Sequence, residues 1–211
     1  MRFPSVYAPV GILPLLLVVR LAAAAATVTV TAAPAIPSDE PQFKTTHLFT
    51  SAVLNSTNVY RAEHNASAVS WNDTLARFAS DYLSDDEGGC KFAHSGGPYG
   101  ENLAMGYPNA TASVEGWGDE RDKYDFSDGG FSEETGHFTQ LVWKNTTDVG
   151  CGRRLCGDRG WYLVCEYWPR GNVLGQFDDE VGKKEGAAVA VRPTVWWMAW
   201  AAVLAVGVLV C

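Results

Sequence analysis

The chain has 211 residues, 47% of them apolar, with 24 Asp and Glu against 16 Lys and Arg, and five Cys. That length suits one modest domain better than two full cores. Residues 42–177 hold 18 acidic and 11 basic side chains, a net of −7; an acidic domain without a Lys/Arg stripe is poorly suited to nucleic acid or to docking on anionic lipid by charge.

Taken in chain order, residues 1–26 have the layout of a secretory signal peptide: Arg2, an apolar run over 12–19 and a small-residue run over 22–26 that offers A-x-A cleavage. Pro4, Pro9 and Pro14 and the shortness of the apolar stretch argue against a retained anchor. Residues 27–42 are a Pro/Ala-rich linker into a domain at 43–177.

Within that domain, apolar spacing predicts a helix over 43–64 and another over 71–83, with Asn72 or Asp73 as cap. Residues 85–100 form a Gly-rich loop around Cys90. A third helix spans 110–124 and places Trp117, Glu120 and Tyr124 on one face. A short helix or strand covers 138–142. Strands follow at 149–151 and 161–167, the second apolar on both faces as a buried strand would be. Helices first and strands last suggest an α+β layered structure, not an alternating βαβ one.

Sequons at Asn55, Asn65, Asn72, Asn109 and Asn145 agree with passage through the secretory route. Setting aside Cys211, four cysteines remain, which in an oxidising compartment implies two disulfides with three possible pairings. The turn at 157–160 sets Cys151 and Cys165 nearly opposite on a hairpin, which favours that pair and leaves Cys90 with Cys156. A zinc–thiolate site would need paired C-x₂₋₄-C spacings, which are absent. At the C-terminus, the small residues 186–188, a spacer within 178–194 and an apolar tail at 195–211 have the order of a glycosylphosphatidylinositol signal. A retained tail crossing the membrane is the alternative.

Among residues able to do chemistry, His64 closes the string YRAEHN, His94 opens HSGGPYGENLA with Glu101 across a Gly/Pro turn, Glu120 lies in GWGDERDKY, and His137 in GHFTQLVW. Each has an ordinary structural reading when taken singly. Together, GHFTQLVWKNT (136–146) and YLVCEYWPRGN (162–172) resemble the two signature motifs of the CAP superfamily, which comprises cysteine-rich secretory proteins, insect venom allergens and plant pathogenesis-related proteins. HSGGPYGENLA and YRAEHN match its shorter motifs, and all four occur in the expected order. Glu166 departs from the second signature, which usually carries Asn, Gln, Arg, His or Ser there; the position is not one of the cavity residues.

The resemblance implies a three-layer α-β-α sandwich with a central cleft whose tetrad is His94, Glu101, Glu120 and His137. His94 and His137 would ligate a divalent cation such as zinc, with the carboxylates orienting the rings or a water. His64 takes a structural role. Tyr124, Phe126 and Phe131, spaced aromatic-x-aromatic-x₄-aromatic on a loop with Gly129 and Gly130, are similar to the loop implicated in sterol binding in fungal members. Flat rings on such a loop can cover a rigid ring system. The implied function is a secreted, surface-anchored protein that binds sterol or fatty acid without enzymatic turnover. A metal-dependent hydrolase using the His/Glu cavity is the first alternative, although Ser95 is the only hydroxyl beside His94. An adhesion or immune-interaction protein is the second.

Overall fold

The computed structural model describes residues 38–85 and 89–184. The signal peptide, most of the linker, the end of the spacer and the apolar tail lie outside the described residues. Among the described residues, no helix is long and apolar enough to cross a membrane.

The helical spacing over 43–64 resolves into two helices, α1 (Pro41–Lys44) and α2 (Thr46–Glu63), parted by Thr45 in an extended conformation. Glu40 caps α1 by accepting from the Gln42 N–H, and Pro41 supplies a helical φ where no N–H is needed. This break turns Phe43 onto the sheet, where it stacks on Trp161 at 5.0 Å. The two-residue strand β1 (Ser70–Trp71) precedes α3 (Asp73–Ser84), whose first amides are capped by Asn72 Oδ1. Leu75, Ala79 and Leu83 recur every four residues along α3, and all three are buried.

The strand β2 (Gly100–Met105) then leads to α4 (Ala110–Gly118). The third helix is shorter than its spacing predicts: a 3-10 turn covers Asp119–Lys123 and Tyr124 is extended. Trp117, Glu120 and Tyr124 therefore do not share a helical face. After α5 (Gly136–Val142) come the strands β3 (Asp148–Leu155) and β4 (Trp161–Trp168) and the single-turn α6 (Phe177–Glu180).

The sheet has the order β1-β3-β4-β2, with β1 parallel to β3 and the other pairs antiparallel. Alternation along β4 divides the core. Leu163, Cys165 and Tyr167 pack with residues of α1, α2, α4 and α5, while Tyr162 and Val164 pack with Ala79 and Leu83 of α3. The result is the expected α-β-α sandwich. Gly150 lets α3 lie against the sheet, since a Cβ there would come within 2.3 Å of the Ala76 amide.

Cys151 and Cys165 are register partners across β3 and β4, with Cα atoms 4.1 Å apart, and they form one disulfide. Cys90 and Cys156 form the other. Within the YRAEHN string, Arg61 is fully buried, and among the described residues it makes no salt bridge. Its guanidinium donates instead to the carbonyls of Ser67, Leu141, Trp143 and Thr146 at 2.7–3.0 Å. Leu141 and Trp143 lie at the C-terminal end of α5, where a cation complements the helix dipole. Burial lowers the Arg61 pKa to about 10, which leaves it charged at neutral pH.

His64, at the end of α2, donates through Nδ1 to the Gly182 carbonyl at 2.8 Å and is held below the ordinary imidazole range by burial. Phe177 and Val181 are buried in the same core, so the packed domain runs past residue 177.

Candidate functional site

Two His–Glu pairs converge at the edge strand β2. Glu101, on β2, has a side chain only 7% exposed, and His94 donates to it through Nδ1 at 2.5 Å. The Ser95 N–H donates to both Glu101 oxygens, at 3.0 and 3.2 Å, so the carboxylate holds the loop as well as the ring. The Ser95 hydroxyl accepts from the Gly97 N–H and is thereby committed to the turn.

On the other side, His137 donates through Nδ1 to Glu120 Oε1 at 2.6 Å. Glu120 Oε2 accepts from the backbone N–H groups of His137 and Phe138, both at 3.0 Å. It therefore caps α5 from a different segment and complements the positive end of that helix. The His137 ring lies beside Trp117, centroids 6.2 Å apart, and its carbonyl accepts from Asn102 Nδ2.

A cavity of about 460 Å³ opens between the pairs, lined by His94, Glu101, His137 and the exposed rings of Phe92 and Phe131. Glu120 stands behind His137. With each Nδ1 held by a carboxylate, both imidazoles have their Nε2 atoms left as ligands, the arrangement that orients a metal-binding His. Among the described residues no group of three or more His, Cys, Asp or Glu is set to hold a metal ion. The donor set therefore does not fit a closed structural zinc site.

Glu166 lies outside the cavity, as expected, but against the tetrad. It stands directly opposite Glu101 in the β2–β4 ladder, fully buried, so it supports the tetrad from behind even though it does not line the cavity. Burial, then the charge and hydrogen bonding of Glu101, push its carboxyl up to about 9. Among the described residues its oxygens meet no donor, so burial beside the Glu101 charge keeps it in the neutral, protonated form. The signal for it in the sequence is a lone carboxylate inside the apolar run WYLVCEYW.

The aromatic loop divides. Tyr124 and Phe126 turn inward and meet edge to face at 4.9 Å, with Phe126 stacked on His64 at 5.9 Å. They line a second cavity, of about 380 Å³, together with Phe177 and Val181, with Lys144, Asp178 and Lys183 also on its wall. Phe131 instead lies 54% exposed at the rim of the His cavity, against Gly136. A third hollow, about 540 Å³, runs between α2 and α4 along Leu48, Ala52 and Val59 to Tyr60 and Arg121.

Of the sequon residues, Asn55, Asn65 and Asn145 are exposed. Asn72 and Asn109 are half-buried and cap α3 and α4.

Residues 54–167 match the family described as the cysteine-rich secretory protein family, CAP. The chain is 47% identical over 135 residues to Protein PRY2 of Saccharomyces cerevisiae, covering 63% of this chain and 41% of that protein. It is 38% identical over 148 residues to the secreted protein RBT4 of Candida albicans, covering 69% of this chain and 41% of that one. The chain thus spans about two fifths of the length of these relatives. Among solved structures, NaASP2 with Zn²⁺ shares the fold at 22% identity with a TM-score of 0.52, covering 71% of this chain and 90% of that one. With its motifs, sheet and disulfides in place, and more than half of its length matched, the chain belongs to the cysteine-rich secretory protein (CAP) family.

Proposed function

We propose that this is an extracellular CAP-domain protein that takes up sterol or a related lipid without enzymatic turnover. One observation carries the reading: Tyr124 and Phe126 line a cavity of about 380 Å³ together with Phe177 and Val181, with charged residues on its wall. Flat aromatic walls beside polar groups suit a rigid apolar ring system bearing a hydroxyl, and the volume lies at the lower end of the roughly 300–1,000 Å³ usual for ligand pockets. The His94/His137 cavity would hold its divalent cation separately.

Two disulfides and a relative named as secreted support an extracellular setting. The membrane partner of this reading is a C-terminal lipid anchor; release of the protein from cells by a phosphatidylinositol-specific phospholipase tests it, and no release favours a retained tail.

The central test is uptake of labelled cholesterol or ergosterol by the purified chain, normalised to folded protein by circular dichroism. Phe126→Ala and the cavity-filling Val181→Trp should abolish uptake, and Phe131→Ala, at the other cavity, should leave it intact. Uptake indifferent to Phe126 and Val181 would sink the assignment.

A further inference from the structure

On α2, Leu48, Ala52, Asn55 and Val59 fall at spacings of four, three and four residues and share one face of the helix. That face forms one wall of the hollow against α4, and Asn55 is itself on the wall. Leu48 is 43% exposed and Val59 58%, so the hollow presents apolar surface. Helical side chains lean toward the N-terminus, which aims the Asn55 amide over Ser51 and Ala52 toward Leu48.

A second observation concerns the same triplet, Asn55-Ser56-Thr57. Thr57 is fully buried, and its hydroxyl has no hydrogen-bond partner among the described residues. Buried polar groups are almost always paired, and one that is not calls for an explanation outside the folded packing. Valine has the same shape and would bury there without that penalty. The hydroxyl does have a use before folding, as the third residue of an N-glycosylation acceptor.

We infer that Asn55 carries an N-linked glycan that lies along α2 and roofs the hollow between α2 and α4. The first sugars present apolar faces to Ala52 and Leu48 and hydroxyls to water, converting an exposed apolar stripe into a covered one. The inference is independent of the sterol cavity, which lies elsewhere and has other walls.

The test uses the full chain secreted from a eukaryotic host. The tryptic peptide 45–61, cut after Lys44 and Arg61, holds no other sequon and carries both Leu48 and Val59. Its mass reports the glycan and its hydroxyl-radical labelling reports the cover. Expected results are a glycan mass on Asn55 and labelling of Leu48 and Val59 that at least doubles in Asn55→Gln and Thr57→Val. Thr57→Ser, which keeps the acceptor, should label like the parent. Thr57→Val should melt at or above the parent's temperature. An unmodified Asn55, or labelling unchanged by loss of the glycan, overturns the inference.

Discussion

Glu166 and Glu101 face each other across the β2–β4 ladder, and among the described residues the Glu166 carboxyl has no donor, only the neighbouring carboxylate that orients His94. The fold tolerates this because Glu166 keeps its proton. A carboxyl raised from 4.5 to about 9 binds a proton in the folded chain that the unfolded chain has already released at neutral pH. Its contribution is fully present below the ordinary carboxylate range and is lost as pH rises toward 9. Glu166→Gln, which keeps a donor toward Glu101, should match the parent near pH 4 and gain on the order of 1–3 kcal/mol at pH 7. Thermal melts of both proteins across this range check it. A gap that does not widen with pH would show that Glu166 does not titrate there.

The metal reading makes a separate prediction. His94→Ala and His137→Ala should each remove Zn²⁺ binding measured by calorimetry. Glu101→Gln and Glu120→Gln, which weaken the acceptor of each Nδ1 and leave the imidazoles in place, should weaken it by about 10–100-fold. Glu120→Ala should also loosen the start of α5, because two backbone donors lose their acceptor, at about 1–2 kcal/mol. Zn²⁺ affinity unchanged in His137→Ala would place the ion elsewhere.

The features legible in the sequence were those fixed by local spacing or by short range along the chain. The helical period over 71–83, the hairpin that pairs Cys151 with Cys165, and the motifs carrying His94, Glu101 and His137 are of this kind, whereas Glu120 lies outside the four motifs. What escaped depends on contacts distant in sequence. β2 is an edge strand whose residues 100–105 follow a Gly-rich loop, and only pairing with β4 makes them a strand. Phe126 and Phe131 share a loop, yet His64, 62 residues before Phe126 in the numbering, draws one ring inward while the other stays at the cavity rim. Glu166 could be read as an anomaly in an apolar run, but its neighbour Glu101 is set by strand register alone.

The disulfides should contribute unequally. Cys90–Cys156 closes a span of 66 residues and Cys151–Cys165 one of 14. Loop-closure entropy gives roughly 4 kcal/mol for the first and roughly 3 kcal/mol for the second. The shorter bridge also joins strands already paired by the β3–β4 ladder, which reduces its share further. Denaturant unfolding of the double Ser variants should therefore show the larger loss for Cys90→Ser with Cys156→Ser. The reverse order would mean that the ladder depends on its bridge.

The sequon asparagines separate into those the fold uses and those it does not, which dictates how glycans should be removed. Asn72 accepts from the Thr74 and Leu75 amides, and Asn109 from the Ala112 amide. Each substitution to Ala removes a helix cap and should cost about 1 kcal/mol even in unglycosylated protein. Asn65 sits at φ 57°, in the left-handed region that Asn tolerates better than other non-glycine residues, so Asn65→Ala should also cost about 1 kcal/mol. The Asn145 side chain is exposed; its backbone N–H bonds Glu180, and Asn145→Ala leaves that contact intact. Asn145→Ala and Asn55→Gln should be nearly silent in unglycosylated protein. Denaturant unfolding of bacterially made variants measures these differences free of any glycan. If Asn72→Ala and Asn145→Ala unfold alike, the cap at α3 contributes nothing, and a loss seen on deglycosylating Asn72 in secreted protein belongs to the glycan.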